Sequence, residues 1–173
     1  YSFILLVSFV LGAQGNYHYD NASYNVKNHY KNNSNTFYNK GNDSKIELIS
    51  SNISNTMLEV NIDDYRFIEV DGENNYFKIE VDKSTPILKE GAPNLPKINT
   101  SVIIPDYSNM ELIIKDYEFT DIYDIDIIPS KGNLSRNINP ASIPYVFGEE
   151  YQQNKFYPES LAELGEPYIL RDL

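Results

Sequence analysis

Cysteine is absent from the chain. A disulfide framework, a thiolate metal site and a cysteine nucleophile are therefore excluded within it. Histidine is nearly absent: His18 and His29 are the only two, and both lie in an Asn/Tyr-rich stretch without a core pattern. A Ser-His-Asp arrangement needs an imidazole fixed by packing and oriented by a third group. Neither histidine has such a setting, so acyl transfer by this chain is not expected. Positive charge is scarce as well, with 14 Lys and Arg against 25 Asp and Glu and a net charge of −11. That balance argues against nucleic acid, which calls for a basic stripe, and against an anionic membrane surface. It fits secretion, solubility and docking on a more basic partner. Glycine is limited to eight residues, and no phosphate loop, dinucleotide fingerprint or zinc spacing occurs. No cofactor and no metal site is expected.

What is present comes in three textures. The first fifteen residues, YSFILLVSFVLGAQG, hold an apolar run from Phe3 to Leu11. It is too short to span a bilayer as a helix. Small residues follow at Ala13 and Gly15, so residues 1–15 read as a secretory signal peptide, truncated at its start and cut before Asn16. Residues 16–44 are low in complexity and follow neither a helical nor a strand period. Their few large apolar side chains, Val26 and Phe37 among them, bury too little surface to offset chain entropy. A disordered leader is expected there.

From residue 45 onward the chain reads as β. Leu58, Val60 and Ile62 alternate with polar residues, as do Phe77, Ile79 and Val81, and Ile125 and Ile127, while Met110, Leu112 and Ile114 alternate with Glu111, Ile113 and Lys115. Period-2 alternation with one polar face marks half-buried antiparallel strands. Asp71–Asn75 has hairpin length between Tyr65–Val70 and Tyr76–Val81. Pro86, Pro93, Pro96, Pro105 and Pro129 punctuate strand ends, where a missing N–H does no harm. The expected fold is an all-β antiparallel sandwich. Its one helical candidate is Pro158–Leu164, with Gly165 as its stop. The run Tyr168–Leu173 ends without a turn or cap, so the sequence is expected to be a fragment, incomplete at its C-terminal side.

The acidic pairs carry little chemistry. Asp63 and Asp64 are consecutive on a strand and point to opposite faces. Asp124 and Asp126 share a face but stand about 7 Å apart, wide for one Ca²⁺ without further ligands. Asp71 and Glu73 sit in the hairpin loop. All read best as solvated faces.

The most distinctive loop is Ser130–Pro140, SKGNLSRNINP, between the apolar run ending at Pro129 and the segment Ile143–Val146. It presents one arginine, Arg136, among small and polar neighbours. Ser130, Lys131, Gly132, Asn137 and Pro140 frame it. A guanidinium offered this way suits a pocket that holds a carboxylate, because its planar fork pairs bidentately. On residue statistics alone it is one more exposed arginine.

Gly91–Pro105, GAPNLPKINTSVIIP, resembles the pro-segment of the gingipain-type cysteine endopeptidases. The likeness continues through Ile127–Asp172, where Pro-Ser-Lys-Gly, Ile-Pro-Tyr-Val, Tyr-x-x-Asn-Lys-Phe and Pro-Tyr-Ile-Leu-Arg-Asp follow in order. It covers roughly residues 46–173. The resemblance implies a secreted precursor in which a jelly-roll-like prodomain over residues 45–173 caps a downstream catalytic domain with a Cys-His dyad. The prodomain would keep the protease latent in cis and assist its folding, without a stable membrane anchor of its own. In arginine-specific members of that family a prodomain loop inserts an arginine into the primary specificity pocket, and the matching position is Arg136. The alternative from another class is a secreted adhesin or carbohydrate-binding module, with Tyr107, Tyr117, Tyr123, Tyr145 and Tyr151 as its platform. Intrinsic hydrolase activity ranks below both.

Overall fold

The computed structural model of the chain describes residues 2–10, 30–31, 36–39, 44–70, 76–105, 108–119, 121–122 and 125–170. Twelve strands follow one another: β1 Ser2–Val10, β2 Tyr30–Lys31, β3 Thr36–Asn39, β4 Lys45–Ser51, β5 Thr56–Asn61, β6 Tyr65–Glu69, β7 Tyr76–Val81, β8 Thr85–Pro86, β9 Pro96–Ile104, β10 Asp126–Ile127, β11 Ala162–Leu164 and β12 Tyr168–Leu170. They form one five-stranded sheet in the order β11-β1-β9-β8 with β12 also on β1, a second in the order β10-β7-β6-β3-β2, and the β4-β5 hairpin. Every pairing is antiparallel except β7 with β10. The all-β expectation holds, and the strand order in neither sheet by itself defines a jelly roll.

The alternation read in the sequence is what builds the second sheet. β6 and β7 pair with Tyr65 opposite Val81 and Phe67 opposite Ile79. All four side chains fall on one face, because residues two apart on a strand point the same way. That face is the core: Tyr65, Phe67, Phe77 and Val81 are buried and close on Ile98 of β9, in the other sheet. Ile46, Ile62, Ile79, Ile122, Ile125 and Ile127 pack around them. Tyr65 and Phe67 meet edge to face, centroids 5.7 Å apart, the geometry that aromatic quadrupoles favour. On the opposite face Arg66 Nε donates to Glu80 Oε2 at 2.9 Å across the strand pair. Being exposed, that pair contributes at most about 1 kcal/mol. Val70 N–H donates to the Tyr76 carbonyl at 2.9 Å and closes the hairpin, while its loop, 71–75, lies outside the described residues.

Two expectations meet a different outcome. Met110–Ile114 alternates as a strand would, yet residues 108–119 belong to no sheet. Alternation specifies two faces but supplies no partner edge, and a strand exists only in a ladder. Ile113 is 66% exposed and Tyr117 61%. The helix expected over Pro158–Leu164 does not form: Ala162–Leu164 is β11, and Ala162 is buried opposite Phe9 of β1. Pairing in the sheet outweighs a propensity worth tenths of a kcal/mol per residue. The helical content among the described residues is instead two short 3₁₀ segments, Pro140–Ser142 and Glu149–Gln152. Within the stretch expected to lack structure, Thr36–Asn39 pairs with β6, and the greater part of 16–43 lies outside the described residues. The apolar run assigned to a signal peptide, Ser2–Val10, pairs with β9 over eight positions, from Phe3 opposite Ile104 to Val10 opposite Lys97.

Phe67 is 3% exposed at the centre of the aromatic cluster. Phe67→Ala should therefore destabilise the chain by roughly 3–5 kcal/mol, read as a lowered midpoint in urea unfolding. A loss below about 1 kcal/mol would place the core elsewhere.

Candidate functional site: an arginine loop on a pinned base

The loop Ser130–Pro140 rises from a deeply buried part of the chain. Among the described residues, Leu95, Ile128 and Pro129 are the largest fully buried side chains. Residues 91–94 run antiparallel to 128–130, joined by a bridge between Pro93 and Pro129. Asn94 N–H donates to the Ile128 carbonyl at 2.9 Å, Ser130 N–H to Ala92 at 2.7 Å, and Gly91 N–H to Ser130 at 2.9 Å. Ile128 N–H reaches back to Phe77 of β7 at 2.9 Å, and Tyr151 Oη donates to the Ile127 carbonyl at 2.7 Å. Proline suits this segment because neighbouring residues supply every N–H the bridge needs.

A third segment joins at Gly91. Gly148 N–H donates to the Gly91 carbonyl at 2.8 Å. Gly91 holds φ of +80°, a conformation L-residues resist, and a Cβ there would stand 3.2 Å from the Gly148 Cα. A Cβ on Gly148 would in turn lie 3.0 Å from the Gly91 carbonyl oxygen and 2.7 Å from Glu150 Oε2. Two glycines let two backbones touch.

Charge backs this junction. Lys89 Nζ lies 2.5 Å from Glu150 Oε1, and the glutamate side chain is only 9% exposed. Among the described residues that oxygen has no other donor, so the ammonium compensates it, and a backbone N–H adds to the hold on the carboxylate. Lys89 holds the Glu150 carboxyl below its ordinary range and is itself held above its own. Lys89 also faces the Tyr157 ring at 5.9 Å. Phe147 bridges Tyr76 and Tyr151, with centroids 5.1 and 5.0 Å away.

On this base the loop itself is open. Ser130 is 4% exposed, and its Oγ accepts from Gly132 N–H at 3.2 Å. Gly132 takes φ of +74°, turning the chain outward past Glu90. Ile138 N–H donates to the Ser135 carbonyl at 3.0 Å. Arg136 and Asn137 thus occupy the two central positions of a turn, and both are exposed. Arg136 has no acidic partner among the described residues. The descending limb starts at Asn139, whose Oδ1 accepts from Ala141 N–H at 3.0 Å and caps the 3₁₀ segment beginning at Pro140. Lys131 Nζ donates to the Pro140 carbonyl at 2.8 Å and sits 3.9 Å from the Tyr145 ring centre.

Of the residues singled out in the sequence, Ser130, Lys131, Gly132, Asn137 and Pro140 all lie in this one loop with Arg136. What sequence reasoning missed is its footing: Gly91 against Gly148, Lys89 with Glu150, and Tyr145 under Lys131. No motif spacing links positions 57 or 61 apart. The one signal was the Gly-Ala-Pro at Gly91, where a glycine before Ala-Pro suggests special backbone geometry. Of the tyrosines expected as a platform, Tyr151 bonds Ile127, Tyr145 faces Lys131, and Tyr117 stacks on Phe119 at 6.3 Å. Tyr107 and Tyr123 lie outside the described residues, as do His18, His29, Asp71, Glu73 and Asp124. Among the described residues no three acidic or histidine side chains are grouped to hold a metal, and no helix is long and apolar enough to cross a membrane.

The family model Propeptide_C25 matches residues 36–173, and the chain belongs to that family. It is 30% identical to Gingipain R2 of Porphyromonas gingivalis over 135 residues, which is 78% of this chain and 18% of that protein. It is 33% identical to Gingipain R1 of the same organism over 127 residues, 73% of this chain and 13% of that protein. The chain therefore spans less than a fifth of the length of these relatives. No solved structure matches it.

Two outcomes follow from this geometry. Gly91→Ala combines a left-handed φ with a backbone clash and should cost roughly 1–3 kcal/mol, read in urea unfolding; a neutral result would mean the two backbones do not touch. Glu150 should shape the acid limb of stability. Its folded-state carboxyl titrates below the ordinary value near 4.5, so the unfolded chain binds the proton first. Its contribution is then complete above that value and is lost as pH falls through the depressed folded one. Unfolding midpoints between pH 6 and 3 should fall less steeply in Glu150→Gln than in the parent.

Proposed function

We propose that this propeptide keeps a cysteine endopeptidase of its own precursor latent by offering Arg136 to the protease's primary specificity pocket, and that it assists that domain's folding. One observation carries the reading. Arg136 is an exposed arginine without an acidic partner among the described residues, at the centre of a turn, on a loop whose base is fixed by buried backbone bonds. A rigid stem lowers the ordering cost of insertion. A guanidinium left unpaired keeps its hydrogen-bonding capacity for a carboxylate in the partner. The precursor is secreted through the signal peptide at residues 1–15; its release before Asn16 takes β1 out of its pairing with β9, and the prodomain has jelly-roll character. The absence of cysteine assigns the nucleophile to another part of that precursor.

Arg136→Ala should weaken inhibition of an arginine-specific protease of this family by roughly 2 kcal/mol or more, the loss of an interface anchor. That is about a thirtyfold rise in inhibition constant. An unchanged constant would sink the reading.

A further inference from the structure

Arginine occurs at Arg66, Arg136 and Arg171 only. Of the two within the described residues, Arg66 lies in β6 and Arg136 in an exposed turn. An arginine shown to a protease is a substrate unless something keeps its peptide bond out of register. Peptidases take the residues around the scissile bond as an extended strand. In this structure the Ser135 carbonyl accepts from Ile138 N–H at 3.0 Å, which folds Arg136 and Asn137 back on themselves. The turn must open before the Arg136–Asn137 bond can be attacked.

We propose that Lys131 is the positioning residue that keeps this turn closed. Its ammonium donates to the Pro140 carbonyl at 2.8 Å, nine residues along the chain, and so ties the rising limb of the loop to the descending one. The Tyr145 ring, 3.9 Å from the ammonium, braces it from the segment beyond. A charge-assisted hydrogen bond and a cation–π contact act together on one flexible side chain. The rising limb is independently fixed, because Ser130 is buried, bonded to both Gly91 and Ala92, and bonded through Oγ to Gly132 N–H. Among the described residues the descending limb has the Asn139 cap, the short-range bonds of its 3₁₀ turn, Ser142 N–H to Asn139 and Ile143 N–H to Pro140, and one tie from across the loop, that of Lys131. Lys131 is thus the link through which the fixed limb restrains the free one. It allows Arg136 to be bound without being cut.

The inference rests on the reading of Arg136 as the presented residue, but its test needs no cognate protease. The 173-residue chain is digested with an arginine-specific endopeptidase unrelated to the family, and cleavage after each arginine is followed by mass spectrometry. In the parent, cleavage after Arg136 is slow despite its exposure. Lys131→Met keeps the aliphatic stem and loses both contacts, and should speed cleavage after Arg136 by at least about tenfold. Lys131→Arg retains a cation and should restore most of the resistance. Arg66 lies within β6 and reports on global opening. Equal acceleration at Arg66 and Arg136 would reduce Lys131 to a general stabiliser and overturn the proposal, as would a Lys131→Met rate after Arg136 equal to the parent's. Failure of the latency reading shows separately, as unchanged inhibition in Arg136→Ala.

Discussion

The hydrogen bonds that Gly91 and Ala92 exchange with Ser130 are the constraint on which the rest of this molecule depends. They lie among buried residues, where an unpaired N–H or carbonyl costs several times what a paired one contributes. Three segments far apart in sequence are thereby committed to one place: the residues before β9, the residues after β10, and the stretch that begins at Gly148. The alternatives are poor, because any displacement strands polar backbone next to Leu95 and Ile128. The junction needs two glycines for closeness and two prolines that want no partner. Those four residues supply shape, and Glu150 with Lys89 supplies charge at the margin.

The core and the junction stand in a simple relation. Phe77 of β7 belongs to the buried aromatic cluster, and its carbonyl receives the Ile128 N–H. The same strand therefore anchors the hydrophobic centre and the foot of the arginine loop. Tyr151 and Phe147 extend the contact outward to Tyr76. A loop fixed this way departs from the common pattern of mobile surface connections. Its base is continuous with the packed interior, and the conformational freedom that remains is confined to its crown.

Much of this was legible in the sequence, for physical reasons. Phe77, Ile79 and Val81 announce a half-buried strand because a two-residue period has one structural cause. Tyr65–Val70 and Tyr76–Val81 announce a hairpin because the spacing leaves little room for anything else. Arg136 stood out through its plain neighbours. What stayed hidden is what depends on distant partners. Met110–Ile114 carries the same alternation as β7 yet lacks an edge to join. Ala162 carries helix propensity yet is taken by β1. Gly148, Glu150 and Tyr145 acquire their roles only when the chain returns to Gly91 and Lys131. Local pattern reports on faces; it is silent on neighbours.

The unpaired strip from Ser108 to Phe119 has a consequence of its own. It offers Ile113, Ile114, Tyr117 and Phe119 to solvent in a sequence already suited to an extended ladder. Such a segment is a template for cross-chain pairing. Glu111, Lys115, Asp116 and Glu118 interrupt it, and the chain as a whole carries −11. These charges act as gatekeepers. Colloidal solubility at this strip is thus guarded by repulsion in place of a completed sheet, and repulsion is the kind of guard that salt weakens.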